Sequence, residues 1–374
     1  IPKRGPTLGE LTDEAVAWVR DVEANGDKWD VFAQDRRDDL CPNMSNTSDA
    51  PWHAAKKFIA SETGELTQLW NVGVDKRNTA RAQGVHSWRQ LPNASAVGVG
   101  GEKTAPILDA LLWQNQAANA PSVSPAAIQN NAGDWKTTPS LEFYVDFETV
   151  SDLDDDFTAL PQKGGQPLIF MIGCGHVVNG EWVFKEFTVD AMTEAEEASI
   201  IDEWLAHMDE VRRRLSPNEE PKVIHWSNAE VSMLETAYNS AVARHPQKSW
   251  PKVSWFDFLK LVVKAEPVVV KGSMGFGLKA VAKAMHKHGL IETKWGDGPA
   301  DGLGAMVGAW VAAKEAQRRG CSLRAMPLMQ SIAEYNEVDT RVMWEIVHYL
   351  RRHHAGTASV AGSVVPHPHA ATAG

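Results

Sequence analysis

Asn179-Gly180 separates two runs rich in strand-forming residues, 168–177 and 182–189. Asn and Gly accept the positive φ that both central positions of a tight hairpin turn require. The pattern therefore predicts an antiparallel hairpin, and the elements around it must form a sheet. A short apolar strand precedes it at 141–147. After it, residues 193–215 repeat apolar side chains at helical spacing, with Ile200, Ile201, Trp204, Leu205 and Met208 on one face. A further strand is expected at 222–226, a helix at 231–243 and an extended segment at 253–258. Helical patterns follow at 278–288, 303–318 and 326–352. Strand, hairpin, helix, strand and then mostly helices predict an α/β unit over residues 138–354, with helices on both faces of a mixed sheet.

Residues 1–92 are expected to form a helical accessory region, with Leu11, Val16, Trp18 and Val19 marking a first amphipathic helix. Within it, residues 66–91 suggest short helices around a Gly-containing turn, closed by Gly84, as in a helix–hairpin–helix-like unit. Backbone N–H groups at such a turn can hold a phosphate. Lys76 and Arg77 make it a candidate nucleic-acid contact, and a small packing hairpin is the alternative. Residues 93–137, rich in Ala, Asn, Pro, Gly and Ser with one helical island around Ile107–Gln116, are expected to be a linker. Residues 355–374 have no periodicity and are expected to be a disordered tail.

Composition narrows the function classes. Of 374 residues, 43% are hydrophobic and 23% charged, which excludes collagen, coiled coil and wholesale disorder. No run of about 18 apolar residues marks a membrane span. Cys41, Cys174 and Cys321 are few and far apart, which argues against a disulfide framework and for a reducing, cytoplasmic setting. A formal net charge of −11 argues against a broad basic surface that coats nucleic acid.

Acidic residues recur at informative places. Asp146 and Glu148 flank Phe147 near the end of the first apolar strand, and i, i+2 residues of a strand share a face. Two carboxylates so placed repel each other unless a cation lies between them. Glu230 follows the 222–226 strand in the first turn of a helix, where the helix dipole alone could account for it. Tyr335 and Asp339 lie at i, i+4 on the last helix and share a face, beside the apolar stripe of Val338, Val342 and Ile346. A simple pairing of Asp339 with Arg341 is the alternative there. The run Asp152–Asp156 suits a solvated loop. Together Asp146, Glu148, Glu230 and Asp339 offer the oxygen ligands that two hard divalent cations take, Mg²⁺ or Mn²⁺. Two such ions about 4 Å apart can activate water and stabilise the leaving oxygen of a phosphodiester.

The order of these motifs resembles the Tyr-type DEDD 3′–5′ exonuclease branch of the RNase H-like superfamily. The resembling residues are Asp146-Phe147-Glu148-Thr149, Asn228-Ala229-Glu230 and Tyr335-x-x-x-Asp339. More narrowly, residues 140–352 resemble the RNase H-like domain of predicted RecB-family nucleases. There a His-x-x-x-x-Glu element, here His225 to Glu230, precedes an Asp-containing segment, here Phe256-Asp257-Phe258, and a Gly-Leu-Lys motif, here Gly277-Leu278-Lys279. The resemblance implies an RNase H-like mixed five-stranded sheet flanked by helices. It implies that Asp146, Glu148 and Asp339 bind the ion that activates water, that Asp146 bridges to a second ion, and that Glu230 supports that second ion. Tyr335 would orient the water, Lys279 would neutralise phosphate charge or serve the structure, and Asp257 would fix its loop. The implied partner is nucleic acid, DNA ahead of RNA, with no membrane. Glu230 stands where the well-studied exonucleases carry Asp, and no RecB-like core is visible upstream. A catalytically weak nucleic-acid-binding module and an exoribonuclease are the alternatives.

Overall fold

The computed structural model describes residues 5–46, 49, 51–150, 168–227, 233–296 and 302–356. The chain divides into two compact units, Ile1–Gln116 and Ala117–Gly374. The Asp152–Asp156 run, Glu230 and the expected tail beyond residue 356 lie outside the described residues.

The first unit holds helices α1 (Leu8–Asn25), α2 (His53–Thr63), α3 (Val74–Ala82) and α4 (Thr104–Gln116). Thr7 caps α1 in a reciprocal box with Glu10, yet no residue of this helix is buried. Its apolar residues Leu11, Val16, Trp18 and Val19 face solvent. The core comes instead from Leu66, Leu69, Val72, Leu91, Leu108 and Leu111. Into it run charged side chains. Glu65 is buried and lies 3.4 Å from the buried Arg36, and Arg81 Nε donates to Asp38 at 2.6 Å.

The second unit holds strands β1 (Val123–Ser124), β2 (Glu142–Val150), β3 (Leu168–Val178) and β4 (Glu181–Thr188), then α5 (Glu194–Leu215) and β5 (Lys222–His225). These are followed by α6 (Met233–Arg244), β6 (Trp255–Asp257), β7 (Val269–Val270), α7 (Leu278–Lys287), α8 (Gly302–Arg319) and α9 (Pro327–His354). Five strands form a mixed sheet in the order β4-β3-β2-β5-β6, and β1 pairs separately with β7. β2, β3 and β4 run antiparallel, and β5 and β6 extend the sheet in parallel. Asn179 and Gly180 take φ of 52° and 86°, the turn that the sequence demands.

Residues 93–137 are not the linker that their composition suggests. They divide between the units. Ile107, Leu108, Leu111 and Leu112 carry α4 into the first core. In the second, Val123 is buried in β1, and Trp135 is fully buried edge-on to Phe258 at 5.5 Å. A few large apolar residues suffice to fold a stretch otherwise rich in Ala, Asn, Gly, Pro and Ser.

Alternation along β2 sorts its side chains. Phe143, Val145 and Phe147 enter the core with Trp204 of α5, whose ring meets Phe147 edge-on at 5.5 Å. Tyr144, Asp146 and Glu148 therefore face the other way, toward α9. That helix comes close because β3 is notched. A Cβ on Gly173 would lie 1.6 Å from Asn336 Oδ1, and one on Gly175 would lie 2.1 Å from the Trp182 ring. Gly173 is the cross-strand partner of Asp146, so the notch lies beside the acidic residues. Gly173→Ala is expected to cost about 3 kcal/mol, since overpacking a closed core forces backbone shifts. Urea denaturation checks this, and in a double-mutant cycle Asn336→Ala is expected to recover part of the loss.

Candidate metal centre

β2 and α9 supply the site. From β2 come Asp146, half-buried, and Glu148, buried. From α9 come Tyr335, Asn336 and Asp339, all buried. Pro327 in the first turn, where no intrahelical donor is needed, starts the helix. Its register on the sheet is held by Asn336, whose side chain fills the Gly173 notch and donates from Nδ2 to Glu148 Oε1 at 3.3 Å. Tyr335 and Asp339, one turn apart, then flank that contact.

One oxygen each of Asp146, Glu148 and Asp339 lies within 4.8 Å of the other two. Burial and mutual repulsion both oppose ionisation of such a group. Burial, followed by the charges of Asp339 and Glu148, pushes Asp146 well above the usual carboxylate range. Burial, with Asp339 beside it, pushes Glu148 up to about 8. Burial raises Asp339 too, but only to about 6, because Lys279, the Trp295 indole and the Tyr335 hydroxyl each favour its anion and offset part of the rise. Trp295 Nε1 donates to Asp339 Oδ1 at 2.7 Å. The Lys279 ammonium sits 4.4 Å from the centre of the Tyr335 ring and 6.0 Å from that of Trp295. Burial, and then the three carboxylates, raise the Tyr335 phenol, so it stays protonated and acts as a donor.

A buried acidic triad of oxygen donors, each disfavouring its neighbours' charge, is the donor set a hard divalent cation stabilises. These residues fit Mg²⁺ or Mn²⁺, which would supply the charge the triad lacks.

The structure thus brings together Asp146, Glu148, Tyr335, Asp339 and Lys279, and Glu230 lies outside the described residues. It removes Arg77 from the surface. That side chain is 4% exposed, and its guanidinium donates to the Cys41 carbonyl at 3.0 Å and lies 3.8 Å from Glu65. Arg77 is spent on the fold of the first unit, whose loop carbonyls and buried acid need a fixed cation. Lys76 is half-buried, and its Nζ donates to the Asn71 carbonyl at 2.7 Å, closing the turn before α3. Arg341 is 3.7 Å from Glu345, so it is with that acid that it pairs. Asp257 accepts from the Lys260 backbone at 3.0 Å, holding the turn after β6.

Sequence patterns left three contributors unmarked. Asn336 lies inside Tyr335–Asp339, and the Gly173-x-Gly175 spacing was its available signal. Trp295 carried none, because the 291–296 segment has no periodicity. Glu345, on the predicted last helix, bonds to Glu292 and Thr293 of that patternless segment and so was not marked either. No protein-family model, curated protein or solved structure matches the chain.

The raised carboxyls set a pH dependence. A carboxyl whose folded pKa exceeds its unfolded value stabilises the fold while protonated, and that stability is lost as pH rises through the folded pKa. Asp339 and Glu148, at about 6 and about 8 in the fold, place that window from about pH 4 to about pH 8. In chelator, Tm is expected to fall across this range. Added Mg²⁺ or Mn²⁺ is expected to restore most of it at pH 8, because a bound cation offsets the repulsion. Thermal melts with and without EDTA check this.

Proposed function

We propose that this chain is a metal-dependent nuclease of the RNase H-like, Tyr-type DEDD kind, hydrolysing phosphodiester bonds by a two-metal mechanism, with DNA 3′ ends as its substrate. The observation that carries this reading is the buried triad Asp146, Glu148 and Asp339 with Tyr335 one helical turn before Asp339. The sheet order supports it, since the acid-bearing strand is central, with an antiparallel hairpin on one side and two parallel strands on the other.

Divalent ions, when bound, would activate water and stabilise the leaving oxygen. The chain's own residues do the rest. Asp146, Glu148 and Asp339 would hold the first ion, and Glu230 would support the second. Tyr335, kept protonated by burial and by its acidic surroundings, would orient water by donating a hydrogen bond and would not act as a base. Lys279 would meet the phosphate with a fixed positive charge.

The contact with nucleic acid would be narrow. The net charge of −11 argues against a broad basic surface, and Arg77 and Arg81 are buried and do not contribute to one. Binding would then lean on the metal centre and depend less steeply on salt than that of a protein making many phosphate contacts. Among the described residues, no helix is long and apolar enough to cross a membrane.

End-labelled single-stranded DNA, duplex DNA and RNA, each with Mg²⁺ or Mn²⁺, test the reading. Stepwise shortening of labelled DNA that EDTA stops is expected. Asp146→Asn is expected to lower the rate by about 10³-fold or more, since a lost charge-stabilising group costs that order. Tyr335→Phe is expected to cost about 10²-fold, the scale of one positioned donor. Cleavage that persists in Asp146→Asn or in EDTA overturns the reading. Preference for RNA would reassign the substrate.

A further inference from the structure

The segment 291–296 joins α7 to the 297–301 stretch that precedes α8, and it forms no helix or strand. It is nonetheless tied down. The Glu345 carboxylate on α9 accepts from the backbone N–H of Glu292 at 2.9 Å and of Thr293 at 3.0 Å, and from the Thr293 hydroxyl. Ile291 is buried, 6% exposed. Two residues past Thr293, the Trp295 indole donates from Nε1 to Asp339 Oδ1 at 2.7 Å. A single helix thus holds both ends of the strap, at Glu345 and at Asp339.

Trp295 itself is only half-buried. Burial of its ring is therefore not a sufficient reason for the strap, and its specific bond is to the buried carboxylate. A carboxylate that binds a metal needs its remaining lone pairs oriented, and hydrogen bonds from outside the ligand set do this.

We infer that Trp295 is a positioning residue for Asp339, orienting that carboxylate toward the ion bound with Asp146 and Glu148, and that Glu345 is the anchor that holds Trp295 in place. This rests on the proposed metal-dependent function. Through these bonds, the 291–295 strap is coupled to metal affinity. A bound ion and an ordered strap favour each other, because each stabilises the same orientation of Asp339. Lys279, within reach of both the Tyr335 and Trp295 rings, adds its charge to the same end of the site.

The test uses the full chain and Mn²⁺ alone, with free Mn²⁺ counted by its electron paramagnetic resonance signal. Trp295→Phe keeps the ring and removes the N–H. It is expected to weaken Mn²⁺ binding by about tenfold, the lower end of the loss seen when a ligand's outer partner is removed. Its urea midpoint in EDTA is expected to match the unaltered chain. Glu345→Gln, which leaves Trp295 intact but loosens the strap, is expected to weaken Mn²⁺ in the same direction by a smaller factor. If Trp295→Phe proves unstable, Glu345→Gln decides. Unchanged affinity in the folded variants overturns the inference while leaving the metal site standing, provided Asp146→Asn abolishes binding. No Mn²⁺ binding by the unaltered chain overturns both readings at once.

Discussion

Three carboxylates meet within 4.8 Å because a helix and a strand approach each other where β3 has no side chain at Gly173. Much of the second unit depends on that approach. Asn336 fills the notch and bonds Glu148, so the register of α9 on the sheet follows. Tyr335 and Asp339 are then carried to the same place by helical geometry alone. On the opposite face, Phe147 packs against Trp204, and this pins β2 so that its acidic face cannot rotate away from the helix. The hydrophobic layer under the sheet holds the repelling layer above it.

The cost of that arrangement is electrostatic. Burial and proximity raise Asp146 and Glu148, and nearby donors moderate the rise at Asp339. The fold tolerates a cluster of carboxyls whose ionisation burial and mutual repulsion oppose, an arrangement that a bound cation would stabilise. The first unit treats charge in the opposite way. Arg36 and Arg77 are sunk beside the buried Glu65, and Arg81 pairs with Asp38. There every buried cation has a local acid or carbonyl, and the charges serve the fold. The two units together explain how a chain of net charge −11 can hold cations inside and still offer an acidic centre.

Much of the sheet was legible in the sequence. Asn179-Gly180 marked the hairpin, runs of apolar and strand-forming residues marked β2 and β3, and the i, i+2 and i, i+4 spacings paired Asp146 with Glu148 and Tyr335 with Asp339. These are local properties, and local geometry carries them. Other expectations failed for equally physical reasons. The stretch 93–137 has a linker's composition, but its helical island packs through Ile107 and Leu111, and Trp135 finds a core that composition cannot display. Arg77 sits in a pattern that suggests a phosphate contact, yet its partners, the Cys41 carbonyl and Glu65, come from a distant loop and a distant turn. The amphipathic pattern of α1 formed a helix whose apolar face stays in solvent, so periodicity named the helix and not its environment.

The sequence by itself determined the strands, most of the helices, the turn at Asn179-Gly180, the i, i+2 pairing of Asp146 with Glu148 and the i, i+4 pairing of Tyr335 with Asp339, because backbone preference and side-chain periodicity act over a few residues. Tertiary structure alone decided that Asp339 lies beside Asp146 and Glu148, 191 positions away from Glu148 along the chain. It also decided that Arg77 is buried, and that Trp295, in a segment without pattern, bonds the site's own carboxylate. These depend on contacts between residues far apart in the chain, whose free energies arise only once the elements have packed.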